Sequence, residues 1–237
     1  EPNPLKYETL EDLQKKVVEE KADLGIALDG DGDRCNLVDE KGNIITNDLT
    51  TALIGKFLLK ENPGSRIMFD LRSSKVVPET IEAEKGHAII SRVGHSFIKA
   101  QMREEDVIFA GELSGHFYYK NSFFTESSFI TTALAINLLD SEKKKLSELA
   151  APLKKYFQSG EINSEVQDKD EKLKQISEKY SDAEKILHID GTSIYYKDWW
   201  FNVRPSNTEP FLRLNLEANT KELMEEKRDE VLTLIRE

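Results

Sequence analysis

Between Ala27 and Glu40 the chain reads ALDGDGDRCNLVDE, with Asp29, Asp31 and Asp33 alternating with glycines and Arg34 following at once. Carboxylates this close repel one another unless a cation neutralises them. The glycines let the backbone bend sharply enough to turn all three to one side. The chemistry this predicts is divalent-metal binding by hard oxygen ligands, with open coordination positions that Mg2+ commonly fills with a phosphate oxygen. Arg34 would then hold charge beside that phosphate, so the pattern points to phosphoryl chemistry. An EF-hand loop competes for the same residues, since Asp29, Asp31 and Asp33 match its first three ligands and Glu40 its twelfth. Against it, the sixth position, which needs glycine, is Arg34, and the flanks DLGIAL and CNLV read as strands rather than helices.

Three further stretches carry candidate chemistry. In GELSGHFYYK, Glu112, Ser114 and His116 alternate. An extended backbone would point all three the same way, and a carboxylate, a hydroxyl and an imidazole on one face can grip vicinal sugar hydroxyls. A plain polar loop is the alternative. In RPSNTEPFLR, Ser206, Asn207 and Thr208 lie between Arg204 and Arg213, an anion nest suited to phosphate, or else an ordinary turn between strands. The P-loop pattern is absent. In SRVGHSFIKAQM, His95 and Lys99 fall near the start of a helix, where anions are favoured, although a structural histidine is the alternative.

The elements that must position these residues follow from periodicity. A helix over YETLEDLQKKVVEEKA, with Thr9 as its cap and Leu10, Leu13, Val17 and Val18 apolar, precedes the strand DLGIAL and a hairpin turning at Lys41-Gly42-Asn43. Helices and strands then alternate: DLTTALIGKFLLK helical, RIMFDL extended, SKVVPETIEAEKG helical with Pro78 in its first turn, HAIISRV extended, SFIKAQMREE helical, DVIFAGE and HFYYK extended, and ESSFITTALAINLLD helical. A helix over KKKLSELAAPLKKYF leads into a boundary. Beyond it come the strand EINSEVQ, the helix KDEKLKQISEKY, a meander from EKILHID to WWFNVRPSNTEPFLRLNLEA, and a final amphipathic helix capped by Thr220 with Leu223, Val231 and Leu234 on its core face. The fold class expected is mixed-sheet α/β followed by a smaller α+β domain with an antiparallel sheet.

With 237 residues and a net charge of -11 the chain lacks the basic surplus a nucleic-acid partner needs. No apolar run approaches the ~20 residues of a membrane span. Its one cysteine, Cys35, excludes an intrachain disulfide and fits a reducing, cytoplasmic setting. The opening EPNPLKYETL has no initiator Met, which reads as processing or as a piece of something longer.

DGDGDR, GELSGH and RPSNTEP, in this order and spacing, together with SRVGHSFIK, resemble the α-D-phosphohexomutases, in particular the phosphomannomutase/phosphoglucomutase branch, over essentially the whole chain. The resemblance implies four domains in the full protein. Residues 1–43 would be the back of domain two, 44–155 domain three and 156–237 domain four. It implies Mg2+ on Asp29, Asp31 and Asp33, with Arg34 and the histidine His95 of the VGH motif in catalytic positions. Glu112, Ser114 and His116 would contact sugar hydroxyls, and Arg204, Ser206, Asn207, Thr208 and Arg213 would hold a phosphate, with Arg72 of FDLRSS near the substrate. The implied reaction moves phosphate between the 1- and 6-positions of glucose or mannose through a phosphoserine and a 1,6-bisphosphate intermediate. Phosphoglucosamine mutase, or a non-catalytic module binding a sugar phosphate or a divalent metal, is the alternative. The family's serine loop, similar to TASHNP, has no counterpart here. The resemblance therefore implies a missing N-terminal domain and an isolated chain that is inactive.

Overall fold

The computed structural model describes residues 3–206 and 208–237. It divides into two compact units, Glu1–Lys154 and Lys155–Glu237.

In the first unit a 3-10 turn, Tyr7–Leu10, leads into helix α1 (Glu11–Glu20). Thr9, expected as the helix cap, lies inside the turn, and its hydroxyl donates to the carbonyls of Asn3 and Lys6. A threonine that finds carbonyls nearby serves the turn instead of capping, so the helix starts later. Leu10 and Val17 face inward, and Val18 is exposed. Strands β1 (Leu24–Leu28) and β2 (Cys35–Asp39) form an antiparallel hairpin with Leu28 opposite Cys35, and β3 (Ile44–Ile45) joins β2. The turn between β2 and β3 forms as expected: buried Asp39 accepts the amides of Lys41 and Asn43, and Gly42 supplies the positive φ of 81°. Helix α2 (Asn47–Glu61) is buried continuously from Asn47 to Gly55, the mark of a helix enclosed by other elements.

The larger sheet of this unit has the order β5-β4-β6-β7-β8. Its strands are β4 (Arg66–Asp70), β5 (His87–Ser91), β6 (Phe109–Gly111), β7 (Phe117–Tyr119) and β8 (Thr125–Glu126). Strand β4 pairs parallel with β5 and β6, and β6-β7-β8 run antiparallel. Helix α3 (Val76–Ala83), with Pro78 in its first turn, links β4 to β5, and α4 (His95–Glu104) links β5 to β6. Helix α5 (Ser128–Glu142) is capped by the Ser127 hydroxyl, which accepts the Ile130 amide. The expected helix at the boundary is short: α6 (Leu146–Ala150) gives way to a 3-10 turn at Ala151–Leu153, where Pro152 removes an amide donor. The segments after β4, β5 and β6 all leave from the carboxyl ends of the parallel strands, where α/β sheets gather ligand-binding loops.

The second unit contains β9 (Phe157–Gln158), β10 (Ile162–Glu165), α7 (Lys169–Lys179), β11 (Lys185–Leu187), β12 (Thr192–Tyr195), β13 (Trp199–Pro205), β14 (Phe211–Ala218) and α8 (Lys221–Arg236). The sheet is antiparallel throughout, in the order β10-β14-β13-β12-β11, with β9 also on β14. Alternation sorts its faces. Trp199, Phe201 and Val203 of β13 and Leu212, Leu214 and Leu216 of β14 join Ile176 of α7 and Met224, Val231 and Ile235 of α8 in one core. The other face puts Arg204 directly opposite Arg213. Thr220 caps α8 by accepting the Leu223 amide at 3.2 Å.

Helix α2 crosses β6 so closely that a Cβ on Gly111 would sit 2.0 Å from the Thr51 hydroxyl. Gly111→Ala is therefore expected to cost about 2 kcal/mol through overpacking, read as a lower urea midpoint at unchanged slope. An unchanged midpoint would mean that α2 is not seated against this strand.

Candidate active site

The aspartate loop closes the β1–β2 hairpin. Leu28 pairs with Cys35 on either side of it, so the flanks are strands and the EF-hand geometry does not form. Glu40 is occupied elsewhere, accepting from the Ser147 hydroxyl at 2.5 Å and its amide at 3.2 Å. Asp29, Asp31 and Asp33 each offer a carboxylate oxygen within 4.8 Å of the others. Asp29 is buried and accepts the amides of Gly32 and Arg34, both at 3.1 Å, and the Arg34 Nε at 2.5 Å. Burial opposes ionisation of Asp29, but these bonds and the Arg34 charge prevail and hold its carboxyl below the usual range. Asp33 goes the other way. Burial, together with the Asp29 and Asp31 charges, pushes its carboxyl up against the pull of His116. The three carboxylates could hold a cation between them, and an all-oxygen donor set suits a hard divalent ion.

The second cluster is held by one buried carboxylate. Glu112 is 3% exposed. Its Oε1 accepts the Gly94 amide at 3.2 Å and lies 4.0 Å from the Arg72 guanidinium, and its Oε2 accepts the Tyr118 hydroxyl at 2.6 Å and faces His116 Nδ1 at 3.3 Å. Burial raises the Glu112 pKa, yet the bonds from His116 and Tyr118 and the Arg72 charge overcome that and hold it at about 2. The backbone here is not extended. Residues 112–116 form a tight turn in which the Gly115 amide donates to the Glu112 carbonyl, with Gly115 at a φ of 92°. Ser114 nevertheless reaches His116, Oγ to Nδ1 at 2.8 Å, so turn closure rather than strand alternation brings the trio together.

This turn docks on the aspartate loop. The Cys35 amide donates to the Gly115 carbonyl at 3.0 Å, Arg34 and His116 form an antiparallel bridge, and His116 Nε2 lies 3.4 Å from Asp33 Oδ2. Burial lowers the His116 pKa, but the Glu112 and Asp33 carboxylates outweigh it and raise it. Arg72 is gripped by Asp70, Nε to Oδ1 at 3.1 Å and Nη2 to Oδ2 at 2.8 Å, and Asp70 also accepts the Leu113 amide at 2.7 Å. His95 is the exposed first residue of α4, next to the Gly94 amide that Glu112 holds. Lys99 is paired with Glu126 at 2.5 Å.

In the second unit, Arg204 and Arg213 converge on Glu161, at 2.8 Å and 3.3 Å, and Arg213 Nη2 reaches the Ser206 hydroxyl at 3.3 Å. Arg204 and Ser206 are buried and Thr208 is exposed. Asn207 lies outside the described residues.

Sequence models of phosphoglucomutase/phosphomannomutase match three successive stretches: the alpha/beta/alpha domain II at residues 1–42, the alpha/beta/alpha domain III at 46–156 and the C-terminal domain at 161–234. The chain belongs to the phosphohexomutase family. Among relatives of the phosphohexomutase chain, a phosphomannomutase of Methanocaldococcus jannaschii is 48% identical over 99% of this chain and 52% of its own length. One of Escherichia coli K12 is 39% identical over 100% of this chain and 52% of its own length. A solved phosphoglucomutase/phosphomannomutase family protein from Burkholderia thailandensis superposes with a TM-score of 0.88 at 27% identity, covering 99% of this chain and 51% of that one. The chain thus spans about half the length of the curated relatives it matches.

Sequence reasoning missed four residues of these clusters. Asp70 and Tyr118 support the hairpin from β4 and β7. In the second unit, Glu161 sits between the two arginines, and Lys169 donates to the Ser206 carbonyl at 2.8 Å and the Glu209 carbonyl at 3.3 Å, fixing the turn. Only strand register could have found Glu161, because Ile162 pairs with Leu214, next to Arg213.

Glu112 contributes stability fully above the ordinary carboxyl value of 4.5 and loses it as pH falls through about 2. Tyr118→Phe removes one bond that keeps Glu112 ionised. We expect it to cost about 2 kcal/mol at neutral pH and to lose less further stability than the parent chain as the solution is acidified below pH ~4.5. Urea unfolding as a function of pH reads both, and parallel pH profiles would show that the phenol does not hold the carboxylate.

Proposed function

We propose that these residues are the metal, sugar and phosphate sites of a phosphohexomutase that moves phosphate between the 1- and 6-positions of glucose or mannose. The reading rests on one observation above all: the acidic trio and the Glu112–Ser114–His116 turn are docked on each other, with His116 3.4 Å from Asp33. A cation receptor beside a polyol-gripping turn is what transfer of a phosphate to a sugar hydroxyl requires. The family match and the similarity to phosphomannomutases support the same reading.

In this proposal Asp29, Asp31 and Asp33 hold Mg2+, which when bound neutralises negative charge on a phosphate. Arg34, now turned onto Asp29, supplies positive charge at the rim of that loop. The Ser114 hydroxyl and the His116 ring orient the sugar hydroxyls, and Glu112 fixes that ring through Nδ1. A hydroxyl both donates and accepts, so Ser114 can meet a hexose in either of the two orientations that a 1,6-bisphosphate intermediate demands. Arg72, on the segment after β4, and His95, the first residue of α4 and next to the Gly94 amide that Glu112 holds, complete the rim. Arg204, Ser206, Asn207, Thr208 and Arg213 clamp the phosphate that is not being transferred. The phosphoserine of the reaction has no counterpart in these 237 residues, so we expect the chain alone to bind hexose phosphates without turning them over. Among the described residues no helix is long and apolar enough to cross a membrane. We place the protein in the cytoplasm on its single, buried, unpaired cysteine, Cys35.

Asp31 is the cleanest probe, because it is exposed and its change leaves the Asp29–Arg34 contacts intact. Asp31→Asn is expected to weaken Mg2+ binding roughly tenfold, the loss of one charged oxygen ligand, with an unchanged melting temperature. Isothermal titration and thermal melting check this. Undiminished Mg2+ affinity would remove the trio from the metal site.

A further inference from the structure

The Arg204–Arg213 pair raises a problem of its own. The two stand directly opposite on neighbouring strands β13 and β14, side chains on the same face, and like charges so placed destabilise a sheet. Arg204 is 8% exposed, so water screens it little. The carboxylate shared by the pair is Glu161, whose Oε2 accepts from Arg204 Nη2 at 2.8 Å and whose Oε1 faces Arg213 Nη1 at 3.3 Å; the exposed Glu209 also reaches Arg213 Nη2, at 3.4 Å. The carboxylate spreads one oxygen to each guanidinium, the geometry in which a phosphate would sit. Among the described residues the Nε atoms of both arginines are buried without a hydrogen-bond acceptor, so the pair is not saturated by what surrounds it. Glu161 is carried on the short segment between β9 and β10, next to Gly160, which has a φ of 70° and nothing within 4 Å of where a Cβ would be.

We propose that Glu161 is an internal stand-in for substrate phosphate: it holds the arginine pair in the absence of substrate and must leave when the phosphate of a hexose phosphate arrives. This rests on the reading of Arg204 and Arg213 as the phosphate clamp. A phosphate dianion placed between the two guanidiniums would lie against the Glu161 carboxylate and be repelled by it, and it would compete for Arg204 Nη2 and Arg213 Nη1, the N–H groups that Glu161 now holds. Glu161 therefore trades affinity for exchange. It keeps the arginines paired and ordered in the empty chain, and it weakens the grip on phosphate enough for the sugar to be released and turned over. It is a positioning residue, with no contact to the bond that is broken.

The test uses the 237-residue chain, inorganic phosphate as the probe and metal-free buffer, by isothermal titration and thermal melting. Glu161→Gln is expected to bind phosphate roughly tenfold more tightly than the parent chain. A merely structural role predicts the opposite sign, since loss of an ion pair loosens the site. Without phosphate the variant melts lower, and at saturating phosphate the gap closes because the anion replaces the lost carboxylate. The gain in affinity disappears in the double variant Glu161→Gln/Arg204→Gln. If the parent chain binds phosphate and Glu161→Gln binds it equally or more weakly, the stand-in role fails and the clamp survives. A melting gap that persists at saturation, or a gain that persists in the double variant, also overturns it. If neither protein binds phosphate, both the stand-in role and the clamp are wrong.

Discussion

The first unit turns on one buried negative charge. A carboxylate as enclosed as Glu112 is tolerable only if donors and opposite charge surround it, and these come from three different segments: the Gly94 amide ahead of α4, the charge of the Arg72 guanidinium 4.0 Å away after β4, and Tyr118 and His116 on its own hairpin. Satisfying the charge draws together loops that leave the sheet from separate strands. The hairpin so fixed sets His116 against Asp33 and the Gly115 carbonyl against the Cys35 amide. The aspartate loop is thus aligned through a chain of contacts that begins at Glu112.

Both units keep like charges close together, which folding alone would avoid. Three carboxylates meet in the aspartate loop, and Arg34 and His116 partly neutralise them. Two guanidiniums meet on the sheet of the second unit, and Glu161, with Glu209 on Arg213, offsets them. In each place the counter-charge is a side chain at a turn or strand end. Such clusters cost stability unless a partner of opposite sign is available, and sites that bind ions and phosphates have that form. Aromatic and aliphatic packing beneath them, Tyr118 with Met68, Ile98 and Met102 in one unit and Trp199 with Phe201 in the other, supplies the rigidity that keeps the charges apart from their own relaxation.

Much of this was legible in the sequence. The aspartate loop between two strands, the hairpin at Gly42, the Thr220 cap and the two-part fold all follow from turn chemistry and periodicity. Thr9 as a cap was not borne out, because the carbonyls of Asn3 and Lys6 compete for its hydroxyl. Alternation predicted that Glu112, Ser114 and His116 would face one way. They do meet, but through a turn that Gly115 permits, so the grouping was right and its cause was not. Asp70, Tyr118, Glu161 and Lys169 were invisible, since each matters through a partner far along the chain or across a strand register that no local pattern encodes.

The account's central claim is that the aspartate loop and the Glu112–Ser114–His116 turn form a single site. Mn2+ titrated into isotope-labelled chain, followed by loss of backbone amide signals, tests it most directly. At the lowest Mn2+ ratios the signals of residues 29–34 and 112–116 should broaden together. Broadening at 29–34 with 112–116 left sharp, or broadening that begins at another acidic stretch, would contradict it.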